Sequence, residues 1–349
     1  MSFAQENQAR SRWETTGISV IFPTRNRAST LSKALESLLA QTMPLDRFEV
    51  IVADNGSTDD TAEICRNFSK QFPNFQYLFV AKPGLHQGRH AGMEAAGAPI
   101  LTFADDDIVA FPSWLSGISE AFQDPGVGLV GGKNLPQWES TPPHWVWEKW
   151  FTSRVKWGQR LGELSLIDFG SEIQEIDPYY VYGCNFSIRK SILTDSKGFH
   201  PDGMPQDLIA YRGDGESYVS GFVKRAGYKT LYHPDASVYH LVPTSRMTED
   251  YFCRRAFNQG VSDSFASVRA RGCPDTQEPV ANWKKLLTKL WNNNILRRDI
   301  IRLQEDLEAS ELDRSVKRSY RRGYLFHQEM CRESSDILQW TLRPHYLGD

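Results

Sequence analysis

The sequence lacks several features that define whole classes of protein. Its five cysteines are odd in number, scattered and without a CxxC pair, which argues against a disulfide framework or a structural zinc site. No apolar run approaches the roughly 20 residues that span a bilayer. The N-terminal stretch MSFAQENQARSRWE is polar and has no apolar core of a signal peptide. We therefore expect a soluble protein of the cytoplasm.

The chain also lacks a strong charge of either sign. Its formal net charge is −3, so no global basic field suggests a nucleic-acid partner. Hydrophobic residues make up 40% and charged residues 24%, as in ordinary globular proteins. A chain of 349 residues can form one large domain, or one domain with an appendage.

Strand-like and helix-like segments alternate through the first hundred residues. Short β-rich runs occur at 17–23, 48–54, 75–81 and 99–104, and helical patterns lie between them at 28–42, 55–70 and 88–98. This alternation predicts βαβ units and a parallel sheet. Each strand is followed by a polar or acidic segment: PTRNR, DNGSTDD, KPGLHQG and DDD. Because ligands bind beyond the carboxyl ends of parallel strands, these four segments are expected to form one site.

The rest of the chain reads differently. Residues 134–180 are rich in tryptophan and predicted to be irregular, whereas residues 181–242 return to a mixed pattern. From about 281 to 333 the chain is polar and helical. We predict an N-terminal tail (1–16), a main domain (17–245, with halves 17–110 and 111–245) and a C-terminal helical region (246–349).

Three consecutive carboxylates, Asp105, Asp106 and Asp107, follow the apolar run LTFA. One of them could cap the helix suggested by residues 112–122, but a cap accounts for one carboxylate and not three. Mg²⁺ and Mn²⁺ sites combine one or two carboxylates with substrate phosphates. Asp105 and Asp107 have the i, i+2 spacing that places side chains on one side of a strand. The run therefore favours a metal–phosphate site over a turn.

The order of these motifs resembles the family 2 glycosyltransferases. The resemblance covers roughly residues 17–245 and rests on ISVIFPTRNRASTLSKALESLLAQT, FEVIVADNGSTDDT and KPGLHQGRHAGMEAAGAPILTFADDDIV. It implies a GT-A (Rossmann-like) α/β fold, with a mostly parallel central sheet flanked by helices and a C-terminal helical extension. It also implies transfer of a sugar from a nucleoside-diphosphate sugar, with UDP as the usual nucleotide.

The resemblance assigns roles to residues at the strand ends. Asp105 and Asp107 match the metal-binding D-x-D motif, with Asp107 the main ligand of Mn²⁺ or Mg²⁺, and His240 matches a further metal ligand. The residues expected at the nucleotide sugar are Pro23, Thr24, Arg25, Asp54, Asn55, Gly56, Arg89, Asp105, Asp106 and Asn185. Arg246, Arg254 and Arg255 could reach the diphosphate, because arginine matches phosphate geometry, and Arg254 is chosen among them.

The base that deprotonates the acceptor is expected in RGDGESYVSGFVKRAGY, residues 212–228. This stretch departs from the G-E-D-x-D pattern of the family. Counting back from Arg-Ala-Gly-Tyr places Glu216 at the base position, with Asp214 as the alternative or a helper. Both carboxylates could instead cap the helix and favour its dipole.

The acceptor is less well defined. The aromatic stretch around Trp138, Trp145, Trp147, Trp150 and Trp157 can stack on sugars, pack as a lid or meet a membrane surface. We expect a glycan or lipid-linked saccharide, polysaccharide or surface-glycan synthesis, peripheral contact with the inner face of the plasma membrane, and a homodimer through the C-terminal helices. The alternatives are a nucleotidyltransferase and a non-catalytic scaffold that binds sugar nucleotides.

Overall fold

The computed structural model describes residues 17–275 and 310–348. The strands are β1 (Ile18–Thr24), β2 (Phe48–Asp54), β3 (Phe75–Phe79), β4 (Ile100–Ala104), β5 (Ile108–Ala110), β6 (Val127–Gly131), β7 (Asn134–Trp138), β8 (Arg154–Val155), β9 (Gly158–Leu161), β10 (Leu166–Asp168), β11 (Gln174–Glu175), β12 (Asn185–Arg189), β13 (Lys229–Tyr232) and β14 (Val238–Val242). The α-helices are α1 (Ala28–Leu39), α2 (Thr61–Phe68), α3 (Leu85–Ala95), α4 (Trp114–Ala121), α5 (His144–Thr152), α6 (Lys190–Asp195), α7 (Gly215–Arg225), α8 (Glu249–Arg271), α9 (Glu311–Glu333) and α10 (Ser335–Leu342).

The central sheet has eight strands in the order β11-β13-β6-β12-β4-β1-β2-β3. Strands β4, β1, β2 and β3 are parallel, whereas β12 runs antiparallel between β4 and β6. The four strands predicted from the sequence therefore lie side by side, and their carboxyl ends share one edge. This arrangement confirms the predicted fold class.

A second sheet of six strands has the order β5-β14-β7-β10-β9-β8. Four of its strands, β7 to β10, and helix α5 lie in the segment 134–180, so the prediction that this segment is irregular was wrong. Its strands are two to five residues long and mostly antiparallel, and such short runs leave little periodicity to read.

Burial on both faces explains why the central strands are continuous apolar runs. All seven residues of β1 are buried. Ile18, Val20 and Phe22 pack into one hydrophobic layer with α1, while Ile21 packs into the layer on the opposite face. Helix α3 lies so close to β1 that a Cβ at Gly92 would be 2.3 Å from Ile21 Cγ2. That close contact fixes the position of α3 at the site edge.

The described residues form two compact units. One comprises 17–247 together with 344–348, and the other comprises 248–275 together with 310–343. In the second unit α8 and α9 cross at two glycines, where a Cβ at Gly260 would lie 2.0 Å from the Tyr320 carbonyl and one at Gly323 would lie 1.9 Å from the Phe257 carbonyl. The described part of the predicted helical region 281–333 is helix α9, and residues 281–309 lie outside the described residues. No helix of 17–275 or 310–348 has the length and apolarity to cross a membrane.

Acidification is expected to destabilise the second unit through His327. This side chain is fully buried beside Ser264 Oγ, and burial lowers its pKa from 6.5 to about 4. The unfolded chain therefore binds the proton first, so stability is retained above pH 6.5 and is lost as the pH falls towards 4. Linkage predicts a loss of about 2 kcal/mol between pH 7 and pH 5. Urea unfolding of wild type and His327→Gln at both pH values measures it, and equal pH dependence in the two proteins would contradict the assignment.

Candidate active site

A cleft of about 400 Å³ opens at the carboxyl ends of the parallel strands. Segments that are far apart in the sequence converge here, because each follows a strand or begins a helix at the same sheet edge. The lining residues are Pro23, Thr24, Arg25, Arg27, Asn55, Gly84, Leu85, Asp105, Asp106, Asp107, Gly203, Pro205 and Arg246. Of the predicted donor-site residues, Pro23, Thr24, Arg25, Asn55, Asp105 and Asp106 line this cleft.

The three carboxylates form the turn that leaves the central sheet and enters the second sheet. Asp105 follows β4, and Ile108 begins β5 immediately after Asp107. The Asp107 carbonyl accepts a hydrogen bond from Leu241 N at 2.9 Å, which ties the turn to β14. Asp106 Oδ2 accepts a hydrogen bond from Thr24 Oγ1 at 2.6 Å. The turn is therefore fixed to both sheets.

Cationic groups surround Asp107. Its Oδ2 atom accepts hydrogen bonds from Arg27 Nη1 at 2.9 Å and from Arg246 Nη2 at 3.0 Å. Burial alone would raise the pKa of Asp107, but the hydrogen bond and charge of His240, together with both arginines, hold it well below its usual range. Asp107 is consequently a carboxylate under all ordinary conditions.

The neighbouring carboxylates experience the opposite effect. Burial raises the pKa of Asp106 to about 7, although Arg27 opposes the shift. Burial and the charge of Asp107 also raise the pKa of Asp105. A divalent cation would favour the ionised form of both groups, since opposite charge stabilises a carboxylate.

The donor set fits a divalent metal. His240 Nδ1 lies 3.0 Å from the Leu164 carbonyl, which can only accept, so the neutral ring carries its lone pair on Nε2. That lone pair faces another acceptor, the buried Asp107 Oδ1, at 3.3 Å. Arg246 Nη1 lies 3.4 Å from the same nitrogen and can donate to it, and a proton or a metal ion between His240 and Asp107 would also satisfy this lone pair. Asp105, His240 and Cys184 also bring one potential ligand atom each within 4.8 Å of one another.

Arg89 and Glu216 form a buried ion pair beside this cluster. Arg89 Nη1 donates to Glu216 Oε2 at 3.2 Å, and the Gly183 amide lies 3.4 Å from Glu216 Oε1. Arg89 is 2% exposed, whereas the Glu216 side chain is 26% exposed. Opposing its burial, the charges of Glu216, Asp202 and Asp105 raise the pKa of Arg89. The guanidinium therefore links Glu216 electrostatically to the acidic turn.

Asp214 is engaged elsewhere. Its Oδ1 atom lies 2.5 Å from Nδ1 of the buried His200. Asp214 is the residue before α7, and Glu216 lies in the first turn of that helix. Of the two predicted catalytic carboxylates, Glu216 is the one whose partners face the acidic turn.

Five of the predicted donor-site residues do not line the cleft: Asp54, Gly56, Arg89, Asn185 and Arg254. The Asp54 carboxylate is buried and accepts hydrogen bonds from Ser57 N and Tyr77 Oη, while Gly56 adopts φ +78° in the following turn. Asn185 is 1% exposed, and its amide bonds Trp114 Nε1, Asn134 Oδ1 and the Ala236 carbonyl. As placed here, Asn185 stabilises the core. Arg254 lies on α8 in the second unit, next to the Tyr251 ring, and its donor role stays a prediction.

Two arginines at the cleft were missed or passed over by sequence reasoning. Arg27 is the second arginine of PTRNR, and Arg246 was set aside in favour of Arg254. The sequence did contain a signal for Arg27, since this residue lies in the segment that connects the first strand to α1. Cys184 lies buried beside Asp105 and His240, where Asn134 Nδ2 donates to its sulfur at 3.3 Å.

Comparison with known proteins agrees with this architecture. The family model for glycosyl transferase family 2 matches residues 19–195, about half of the chain. The protein belongs to glycosyl transferase family 2. Solved structures support a GT-A fold. A mannosyltransferase from Pyrobaculum calidifontis, solved with GDP-Man and Mn²⁺, superposes with a TM-score of 0.52 at 17% identity. The superposition covers 94% of this chain and 93% of that one.

Curated relatives match this family 2 protein over shorter lengths. Glycosyltransferase AglE of Haloferax volcanii is 38% identical over 116 residues, which is 33% of this chain and 38% of that protein. Validoxylamine A glucosyltransferase of Streptomyces hygroscopicus subsp. jinggangensis is 36% identical over 32% of this chain and 27% of its own length. Glucosyl-dolichyl phosphate glucuronosyltransferase of H. volcanii is 22% identical over 68% of this chain and 72% of its own. The first two relatives are thus matched over well under half their length.

Substituting Gly183 is expected to separate Arg89 from Glu216. A Cβ at this position would lie 2.2 Å from Arg89 Nη2 and 3.3 Å from Glu216 Oε1. Gly183→Ala should therefore lower the turnover number about tenfold or more, because a misplacement of about 1 Å can lower turnover up to about 100-fold. Gly126→Ala is the control, because its Cβ would meet only the side chain of Asp124. The turnover number and the Tm of both variants are the measurements. Equal turnover numbers in Gly183→Ala and Gly126→Ala would contradict the arrangement.

Proposed function

We propose that the protein is a metal-dependent, inverting glycosyltransferase. It transfers a sugar from a nucleoside-diphosphate sugar, expected to be a UDP-sugar, to a hydroxyl group of a glycan or lipid-linked saccharide. The observation that carries this proposal is the buried acidic turn of Asp105–Asp107, which faces a cleft at the strand ends with the Arg89–Glu216 pair beside it.

The cleft has the charge that a nucleoside diphosphate requires. Arg25, Arg27 and Arg246 line it together with the acidic turn. Arginine binds phosphate oxygens with two parallel hydrogen bonds, and Arg27 and Arg246 each donate to Asp107. We infer that the diphosphate exchanges some of these contacts when it binds.

Asp107, Asp105 and His240 would hold Mn²⁺ or Mg²⁺, with Cys184 adjacent. When bound, such an ion neutralises charge that develops on the departing diphosphate. The chain's own contribution is a rigid set of donors: Leu164 fixes the His240 ring, and Leu241 N fixes the Asp107 backbone. The mannosyltransferase with GDP-Man and Mn²⁺ supports a divalent metal, although its donor base differs from the one expected here.

Glu216 would act as the base. In this reaction the acceptor oxygen forms a bond to the anomeric carbon from the face opposite the diphosphate, the bond to the diphosphate breaks, and the acceptor proton passes to Glu216. Arg89 positions this carboxylate and Gly183 N contacts its other oxygen. Asp214 is a helper, because its bond to His200 fixes the start of α7.

The acceptor surface is expected near the aromatic residues of α5. Trp147 stacks on Phe151 with ring centroids 5.2 Å apart, and Trp138 lies 5.8 Å from Trp147. Phe151 is 54% exposed. Exposed aromatic faces bind the C–H surfaces of sugars and also meet membrane interfaces. The relative that acts on glucosyl-dolichyl phosphate favours a lipid-linked saccharide in surface-glycan synthesis.

Nucleotide binding tests the donor site. Isothermal titration with UDP, GDP, TDP and CDP, with and without Mn²⁺, should give tight binding of one nucleotide, UDP, that depends on the metal. Asp107→Asn should weaken this binding about tenfold or more, because it removes a charged ligand. Asp235→Asn is the control, since this carboxylate lies outside the cleft lining. Binding of triphosphates alone would favour a nucleotidyltransferase, and no binding of any of them would contradict the proposal.

Removal of the base should separate binding from turnover. Glu216→Gln should keep donor affinity while turnover falls about 100-fold or more, as is typical for loss of a general base. Asp214→Asn should have a smaller effect, since His200 and not the acceptor faces that carboxylate. Steady-state kinetics with the preferred donor measure both. Full activity of Glu216→Gln would contradict the base assignment, and wild-type donor binding without any transfer would favour a scaffold.

A further inference from the structure

Two histidine-bearing segments support the ion pair of Arg89 and Glu216. On α3, His86, Arg89 and His90 have the i, i+3, i+4 spacing of one helix face. On the other side, His200 bonds Asp214 at the start of α7 and stacks on Tyr218 with centroids 3.6 Å apart. The two segments must keep a fixed separation for Arg89 to remain 3.2 Å from Glu216.

Phe199 already connects these two segments through His90 and Arg89. Its amide donates to His90 Nε2 at 2.9 Å, and its ring lies 5.0 Å from the Arg89 guanidinium carbon. Burial and the neighbouring His86 lower the pKa of His90 to about 3, so His90 is neutral and accepts this hydrogen bond. His86 and His200 need a separate connection.

Tyr346 supplies that connection from more than a hundred residues away in the sequence. It belongs to the segment 344–348, which follows α10 and is part of the same compact unit as the cleft. Its side chain is fully buried. The ring packs edge-on against His200 at 5.4 Å and against His86 at 6.4 Å, with interplanar angles of 75° and 84°. One ring therefore contacts both segments.

The next residue strengthens this placement. Leu347 packs against the core on the same face of the central sheet. A Cβ at Gly198 would lie 2.9 Å from Leu347 Cδ2 and 2.6 Å from His90 Nε2. The turn before Phe199 therefore has no room for a side chain, and Leu347 fits closely against it.

We propose that Tyr346 is a positioning residue for Glu216. Its ring sets the separation of α3 from the segment 199–202, and through His86 and His200 it sets the distance between Arg89 and Glu216. Tyr346 is not among the residues that line the cleft. The inference rests on the proposed role of Glu216 as base, and it adds that a segment remote in sequence controls this base.

The expected consequence is selective. Removing the ring leaves space between two buried histidines, and a displacement of about 1 Å at a catalytic group can lower turnover about 100-fold. Tyr346→Ala should therefore lower kcat about tenfold or more while the Kd of the nucleoside diphosphate changes less than about twofold. Tyr346→Phe keeps the ring and should restore kcat to near the wild-type value.

Phe72→Ala is the matched control. Phe72 is a buried aromatic residue of the same unit that packs against Phe48 and Phe75, on the other side of the central sheet from the histidines. Both alanine variants lose a buried ring, so both should lower the Tm. A loss of kcat confined to Tyr346→Ala supports positioning. An equal loss of kcat in both variants, or no loss in either, overturns it.

A second measurement does not require activity. In ¹⁵N-histidine-labelled full-length protein, the imidazole signals of His200 and His86 should shift in Tyr346→Ala and stay in place in Phe72→Ala. Unchanged signals in Tyr346→Ala overturn the proposal. If wild type binds no nucleotide and transfers no sugar, the proposed function fails, and the histidine signals still show whether Tyr346 sets this geometry.

Discussion

The arrangement of the site depends on the balance of charge around one buried acidic turn. Three adjacent carboxylates leave the central sheet at Asp105–Asp107, and their mutual repulsion is offset by Arg27, Arg246 and His240. An unpaired buried carboxylate would be neutralised or expelled, so this turn is stable only where cations from other segments reach it. The rest of the cleft is arranged around that requirement.

The two sheets explain how those cations arrive. Asp107 ends the connection from β4 to β5, and β5 pairs with β14, which carries His240. Arg27 comes from the end of β1, next to β4 in the central sheet. A turn that joins two sheets therefore receives donors from both, whereas a turn within one sheet would have neighbours on one side only. The cleft therefore lies beside the turn that joins the two sheets.

The same logic separates the parts of the site that could be predicted from those that could not. Strand ends are local features, so the sequence indicated Pro23, Thr24, Arg25, Asn55 and the acidic turn, and all of these line the cleft. Asp54 ends a strand and Asn185 begins one, but their side chains bond other protein groups instead. Whether a polar side chain faces the cleft or the interior depends on a small rotation of the backbone. The spacing of residues in the sequence does not resolve that rotation.

The sequence by itself determined the order of strands and helices in the first hundred residues, the family, and the identity of the carboxylates of the acidic turn, because apolar periodicity and short motifs are local. Only the tertiary structure decided which partner each charged group takes. It places Arg27 as well as Arg25 at the cleft, and Arg246 in preference to Arg254. It also pairs Asp214 with His200 and Glu216 with Arg89. These pairs join residues that the chain separates, and many sequence neighbours carry the same charge. The choice among them is made by packing, such as the contact of Tyr346 with His200 and His86, and packing is a property of the folded chain.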